Sequence, residues 1–363
     1  MRIAYLGQMA DVATENGISK KIRTQAHAWM REGHTVRYFA LRPDTRVWQG
    51  MDRVDVELLA RGTYPGTISR SLTLCSRIRR WSPDLIFFRY AYHSPGLPRL
   101  FRGIPTIAEI NSDDLTEYGL TLSWPKRLYH RLTRKRVLQP IQAFTPVTHE
   151  LARRFAYLQR PMAVIGNSID LREFEPLPPC DAGAAPRLVF VGSGGTPWHG
   201  LTRIGSLARL LIDVTIDVIG CDASDWNAAG AGVPPPNVRL HGALSLDRYL
   251  PLMAGASVAI GTLGLFEKRM EEACPLKVRE YLALGLPVIA GYQDTDIPAE
   301  ADYFLRLPNN AAPLGPWKQT IIGFIDQWHG RRVPRSAVAH LDVSAKETAR
   351  LAFMATIAGS RHA

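Results

Sequence analysis

The sequence predicts two doubly wound α/β domains, and three observations predict them. Its 363 residues exceed one ordinary core and suit two domains of ~150–200 residues each. Apolar, strand-like runs alternate with helix-like stretches in two separate series. A segment rich in Pro, Gly and Ala, residues 175–186, lies near the junction of the series and reads as a linker. The composition, 46% hydrophobic and 21% charged, excludes a disordered, collagenous or coiled-coil chain.

The first series opens with Arg2–Gly7, a short apolar strand. A helix is expected over Ser19–Arg31, closed by Gly33. Strands follow at His34–Leu41, Asp84–Tyr90, Pro105–Asn111 and Ala143–Thr148. They are apolar runs and not clean alternations, as expected for a parallel sheet covered on both faces. The second series reads Met162–Gly166, Arg187–Gly192, Val214–Gly220, Val238–Gly242, Val258–Leu263 and Pro287–Gly291. The expected domains are residues 1–170, residues 171–343, and a closing helical segment, 344–363, that could belong to either domain, to the first by packing back on it.

Four cysteines at 75, 180, 221 and 274 form no CxxC pair. This excludes a disulfide scaffold and a cysteine zinc site and fits a reducing compartment. The N-terminal apolar run is too short for a signal peptide, and Met253–Phe266 falls short of the ~18–20 residues a membrane helix needs. The expected location is the cytoplasm, with any membrane met from the side, peripherally at its inner face.

Charge is unevenly placed. Residues 1–170 carry 26 Lys and Arg against 14 Asp and Glu, and the rest of the chain 18 against 19. The whole excess of positive charge lies in the first half, which calls for an anionic partner there or a solvated basic face. Lys126, Arg127, Arg131, Arg134, Lys135 and Arg136 form one dense segment interleaved with Trp124, Leu128, Tyr129 and Leu132. That mixture suits a helix lying on an anionic membrane surface. No recognition motif for nucleic acid accompanies the charge.

The strongest local pattern is Glu272-Ala-Cys-Pro-Leu-Lys-Val-Arg-Glu280, followed by Tyr-Leu-Ala-Leu-Gly285-Leu-Pro287-Val. Pro275 suits the first turn of a helix, Gly285 its end, and Pro287 the start of a strand. Glu272 then lies in the preceding loop and Glu280 one to two turns inside. Both can reach a ligand across the helix N-terminus, where free N–H groups and the dipole favour phosphate. Lys277 adds a cation. A solvated amphipathic helix is the plainer reading.

This stretch resembles the E-x7-E signature of retaining glycosyltransferases with the GT-B fold, the family-4 group that uses sugar nucleotides. Further matches occur in order: Asn16-Gly17-Ile18-Ser19 resembles the glycine loop after the first strand, and Gly33-His34-Thr35-Val36 the entry to the second. Val164-Ile165-Gly166-Asn167-Ser168-Ile169-Asp170 with Phe174 resembles the crossover between domains, and Val238–Gly242 the strand before the donor site. The resemblance spans residues 1 to about 290 and implies two Rossmann-like domains facing across a cleft. It gives Glu272 the donor-sugar hydroxyls and Glu280 the nucleotide ribose. Ala273, Cys274 and Leu276 would supply backbone N–H groups near sugar and diphosphate, with Gly17, Gly194, Lys277 and His199 completing the donor site.

Dinucleotide binding is the rival for a doubly wound fold. Gly192-Ser-Gly-Gly195 follows a strand, but Pro197 breaks the GxGxxG fingerprint. Three departures from the family pattern stand out. Gly192-Ser193-Gly194 lacks the Arg that often clamps the diphosphate. His199 occupies the usual Lys position. Asn111 stands where many members carry a His, beside Asp113 and Asp114; it is taken with Glu272 as the catalytic pair, although a carboxamide is neither acid nor base. Arg89, Tyr90 and His93 are further acceptor-side candidates.

The expected activity is metal-independent transfer of a sugar from a nucleoside-diphosphate sugar to a glycan or lipid-linked acceptor, with retention of configuration. Similar enzymes serve polysaccharide and glycolipid assembly. Asp294-Thr-Asp296 has the letters of a DxD metal motif but not its context, so no cofactor is expected. A GT-B-shaped protein that binds a sugar nucleotide or a partner without turnover is the alternative.

Overall fold

The computed structural model describes residues 1–8, 17–42, 47, 50–51, 53–60 and 66–359. By its internal contacts the chain forms two units, Met1–Asp170 with Val343–Ala363, and Leu171–Asp342.

The first unit is built on six strands: β1 (Arg2–Gln8), β2 (Thr35–Arg42), β3 (Asp55–Ala60), β4 (Leu85–Arg89), β5 (Thr106–Ile110) and β6 (Ala143–Pro146). All pair in parallel, in the order β3-β2-β1-β4-β5-β6. The order reverses between β1 and β4, the topological switch point at which doubly wound sheets hold ligands at their carboxyl ends. Helices α1 (Gly17–Arg31), α2 (Gly66–Trp81), α3 (Leu97–Gly103), α4 (Asp114–Thr121), α5 (Trp124–Leu138) and α6 (His149–Phe155) connect the strands.

α1 forms because Ile22, Ala26 and Trp29 recur at helical spacing and bury one stripe on the sheet. It stops where Gly33 takes φ +78°, a conformation that only glycine adopts without strain. Trp29 stacks on Tyr5 at 5.3 Å and meets Phe87 edge-on at 5.1 Å. The closing helix, Val343–Gly359, adds Val343, Leu351 and Met354 to this same core.

The second unit repeats the plan. Its strands are β7 (Arg187–Val191), β8 (Thr215–Ile219), β9 (Val238–Leu240), β10 (Val258–Ile260), the two-residue β11 (Glu272–Ala273), β12 (Val288–Ala290), the two-residue β13 (Gln293–Asp294) and β14 (Phe304–Arg306). Six form a parallel sheet in the order β14-β12-β10-β7-β8-β9, while β11 and β13 pair as a separate two-stranded ribbon. Its helices are α7 (Leu201–Leu210), α8 (Ala223–Ala228), α9 (Leu246–Ala254), α10 (Leu276–Ala283) and α11 (Lys318–Trp328), and the closing helix is α12.

Three expectations need correction. Residues 162–166 form no strand; Met162 makes a single bridge to Phe144 beside β6, since Pro161 and Gly166 flank too short a run for a ladder. Strands β3 and β14 went unread, because both are sheet edges whose charged, half-exposed residues interrupt the apolar pattern. The Pro-rich stretch 175–186 is largely exposed but anchored, and it does not join the two units. It lies inside the second unit, where the Leu177 N–H donates to the Leu284 carbonyl at 3.0 Å and Cys180 is buried.

Candidate functional site

The second unit gathers one group of candidates at the carboxyl end of β7. Glu272 and Ala273 form β11, Pro275 is the N-cap, and Leu276 opens α10. Pro275 has extended backbone angles and supplies no side-chain cap, so the first N–H groups of α10 lack an intrahelical acceptor. α10 ends at Gly285, whose φ of +84° suits the left-handed residue past a helix end. Glu272 and Glu280 are both half-buried, and Glu280 faces Tyr249, where its charge adds to burial in holding that phenol above its usual pKa.

Lys277 is set firmly. Its Nζ donates to the Val191 carbonyl at 3.1 Å and lies 4.1 Å from the centre of the Phe190 ring. The Val191 N–H in turn donates to Tyr281 Oη at 2.7 Å. Burial among these groups pushes the ammonium down to about 7, because a desolvated charge is disfavoured. His199 lies close by. Burial first, then the Lys277 charge, pushes it down to about 2. It is therefore a neutral imidazole, its Nδ1 2.6 Å from Thr196 Oγ1.

Gly194 meets a packing demand: a Cβ there would stand 1.7 Å from Asp225 Oδ1. Gly220, at φ +83°, lets the Gly192 carbonyl approach to 2.0 Å from where its own Cβ would be. At Gly220, against backbone and with positive φ, only glycine fits; at Gly194 a side chain would have to turn the Asp225 carboxylate aside.

Cys274 and Asp294 are buried beside the half-buried Asp296, and the ligand atoms of the three lie within 4.8 Å of one another. A guanidinium nitrogen of Arg279 fills the spot. Its Nη2 is 2.7 Å from Asp294 Oδ1, 2.9 Å from Asp296 Oδ2 and 2.7 Å from Cys274 Sγ. The cation these groups hold is Arg279 itself, wholly buried. No local pattern marks it, since its role depends on residues 294 and 296, beyond the next strand.

The first unit places Asn111 just past β5. Its Oδ1 accepts from Lys21 Nζ at 2.8 Å and its Nδ2 donates to Glu109 Oε2 at 3.0 Å, so both ends of the carboxamide are engaged. Glu109 is fully buried among cations: Lys21 at 2.8 Å, Arg89 at 3.3 Å and Arg350 at 3.6 Å. They hold its carboxyl far below the usual range against the opposing effect of burial. Arg89 is thus tied to Glu109. Lys21, brought down to about 8 by burial, is a site group that sequence reasoning missed; the only available signal was its place in the turn after Gly17, which opens α1. Asn16 lies outside the described residues.

Asp113 and Asp114 cap and open α4. Asp113 accepts from the Leu115 N–H. Asp114 is buried, with His130 Nε2 at 2.6 Å, Arg134 Nε at 2.7 Å, Arg134 Nη2 at 2.9 Å and Tyr90 Oη at 3.0 Å. These partners bring its carboxyl down to about 2 although burial acts the other way. Arg134, placed with the surface cations by sequence, is therefore an inward clamp on Asp114, because its position on α5 shares the buried face of His130 and Val137. Arg127 donates to the Gly119 carbonyl at 3.1 Å, and His93 Nδ1 lies 2.7 Å from Tyr129 Oη. Lys126, Arg131, Lys135 and Arg136 are exposed.

Comparison with known proteins adds to this geometry. Residues 16–168 match the model of the glycosyl transferase 4-like domain. That segment holds Gly17, Lys21, Arg89, His93, Asn111 and the basic helix α5. Search of curated proteins finds no match. Solved structures of similar fold include sucrose-phosphate synthase from Thermosynechococcus elongatus, at 16% identity and TM-score 0.72, covering 99% of this chain and 100% of that one. They also include Anabaena HepE, solved with UDP and glucose, at 14% identity and TM-score 0.66, covering 98% and 100%. A lipopolysaccharide outer core galactosyltransferase, WaaB, matches at 10% identity and TM-score 0.65, covering 98% and 100%. The two parallel-sheet α/β units are those of the GT-B glycosyltransferase fold.

No helix among the described residues is long and apolar enough to cross a membrane.

Proposed function

We propose that the protein transfers a sugar from a nucleoside-diphosphate sugar to a glycan or lipid-linked acceptor, with retention of configuration. The observation that supports this best is the arrangement around α10: an uncapped helix N-terminus at Leu276, Lys277 anchored on the end of β7, and Glu272 and Glu280 before and within the helix. That HepE was solved with UDP and with UDP-glucose favours a uridine nucleotide as the first probe.

In this reading the diphosphate is the leaving group, and its developing charge is met by the N–H groups of Ala273, Cys274 and Leu276, the helix dipole and the Lys277 ammonium. Glu280 accepts from the ribose hydroxyls and Glu272 from those of the donor sugar. The sugar passes through an oxocarbenium-like state stabilised by neighbouring oxygens. His199 is uncharged and contributes at most a directed hydrogen bond. Positive charge from Lys277 and the helix end takes the part that a metal ion plays elsewhere, and the reaction uses none. In the first unit Asn111, fixed by Lys21 and Glu109, orients the acceptor hydroxyl by hydrogen bonding.

A binder without turnover is the second reading. The neutral His199 and the fully engaged Asn111 favour it. Thermal shifts with a panel of nucleoside diphosphates test donor binding, and a ligand at ~100 times its Kd adds ~2.7 kcal/mol. Release of nucleoside diphosphate from diphospho-sugars with acceptor extracts, undiminished by a chelator and giving a product of unchanged anomeric form, supports the transferase. Binding without release supports the second reading, and no binding of any sugar nucleotide overturns both.

A further inference from the structure

The helix α5 buries one face and carries a separate apolar stripe on the other. His130, Thr133 and Val137 turn inward and are buried. On the opposite side Trp124, Leu128 and Leu132 recur every four residues and are exposed, Trp124 at 67% and Leu132 at 69%. Six of the eleven large apolar side chains exposed among the described residues fall between positions 115 and 132. An outward stripe of this kind serves no packing within its own unit and marks a contact surface.

The cations on and beside that stripe are available. Arg131 and Lys135 project among the exposed leucines, with Lys126 and Arg136 on the flanks. All four are exposed, and their side chains make no hydrogen bond or ion pair among the described residues. Beside the stripe lies a cavity of about 840 Å³. Arg131, Lys135 and Arg160 line it, Leu115, Leu138 and Leu158 contribute its apolar walls, and no carboxylate belongs to it among the described residues. Arg134 also reaches the cavity, but Asp114 neutralises it.

We propose that this face docks on an anionic membrane, with Trp124, Leu128 and Leu132 at the acyl boundary and the Arg131–Lys135–Arg160 cavity taking a lipid phosphate. A helix with apolar side chains flanked by Lys and Arg lies in the interface in this way, its long cations reaching back to the phosphates. A nucleic-acid strand would use the cations but leave the leucine stripe in water. An apolar protein partner would cover the stripe but strand four unpaired cations. An anionic bilayer satisfies both. The surface goes beyond the transferase reading and stands whether or not the second unit turns over a sugar nucleotide.

The test is sedimentation of the full-length protein with vesicles of phosphatidylcholine alone or mixed with phosphatidylglycerol. The expected result is binding to the mixed vesicles only, weakened by salt. Arg131→Glu with Lys135→Glu and, separately, Leu128→Ser with Leu132→Ser are each expected to cut partitioning at least ~10-fold, with circular dichroism unchanged. Equal binding to neutral vesicles, variants that bind like the parent, or a self-association in light scattering that Leu128→Ser abolishes would each overturn the proposal. Nucleotide thermal shifts on the same samples keep the two readings apart: loss of vesicle binding with nucleotide binding intact bears on docking alone.

Discussion

Lys277 Nζ lies 3.1 Å from the carbonyl oxygen of Val191, so the cation in the first turn of α10 is fastened to the carboxyl end of β7. The bond fixes where an anion at the helix terminus finds its countercharge. It also makes that charge conditional, because burial brings the ammonium down to about 7. Below that pH the cation is present in the free protein; above it the site must take up a proton to bind a diphosphate. Affinity for a nucleoside diphosphate is therefore expected to fall as pH rises above 7, by up to about tenfold per pH unit. Calorimetric titration from pH 6 to 9 checks this. Lys277→Met is expected to bind weakly at pH 6 and to lose the slope, and a flat profile in the parent would count against the lysine as phosphate partner.

The two glutamates are expected to separate in kinetics. Glu280→Ala removes acceptors for ribose hydroxyls in both ground and transition states, so nucleotide affinity drops by ~1.5–3 kcal/mol. Glu272→Ala removes contacts to the sugar that strengthen as the bond breaks, so turnover falls more than affinity. Nucleotide binding by thermal shift, set beside the initial rate of nucleoside diphosphate release, checks both variants. Parental affinity and rate in both would remove this pair from the site.

Arg279 tests the fold beneath that site. Its guanidinium holds the buried Asp294 and the half-buried Asp296 in one cluster beside Cys274. Arg279→Met leaves the buried Asp294 carboxylate without its cation, and breaking a buried pair from one side costs ~3–5 kcal/mol. A lowered melting temperature is expected, accompanied by weaker nucleotide binding as the Cys274–Leu276 turn loosens. An unchanged melting curve would show the cluster to be dispensable.

These residues also show why the sequence told some things and hid others. The central strands were readable because parallel strands buried on both faces are continuous apolar runs, as Leu85–Arg89 and Leu188–Phe190 show. The edges β3 and β14 were not, since Asp55, Glu57 and Arg306 face solvent there and break the run. The α10 turn was legible because Glu272, Pro275, Lys277, Glu280 and Gly285 are neighbours in the chain. The Glu109 cluster is assembled from positions 21, 89, 109 and 350, and no local pattern joins them. Arg134 was misplaced for a related reason: its charge suggests solvent, while its register on α5 and the carboxylate of Asp114 turn it inward.

The first unit's two buried carboxylates predict its behaviour in acid. Cations hold Glu109, and His130 and Arg134 hold Asp114, below their unfolded values. A carboxyl group depressed by folding binds fewer protons in the native state, so stability rises with pH between the folded and unfolded values. For Asp114 that window runs from about 2 up to its ordinary value near 4. Its contribution is complete above the window and lost as pH falls through it; Glu109 acts in the same sense and reaches lower. Urea unfolding followed by near-ultraviolet circular dichroism is expected to show a loss of stability between about pH 4 and pH 2, reduced in Asp114→Asn, which is itself less stable at pH 7 because Arg134 loses its countercharge. A parent protein with the same urea midpoint at pH 3 and pH 6 would show that these buried pairs do not set its acid limit.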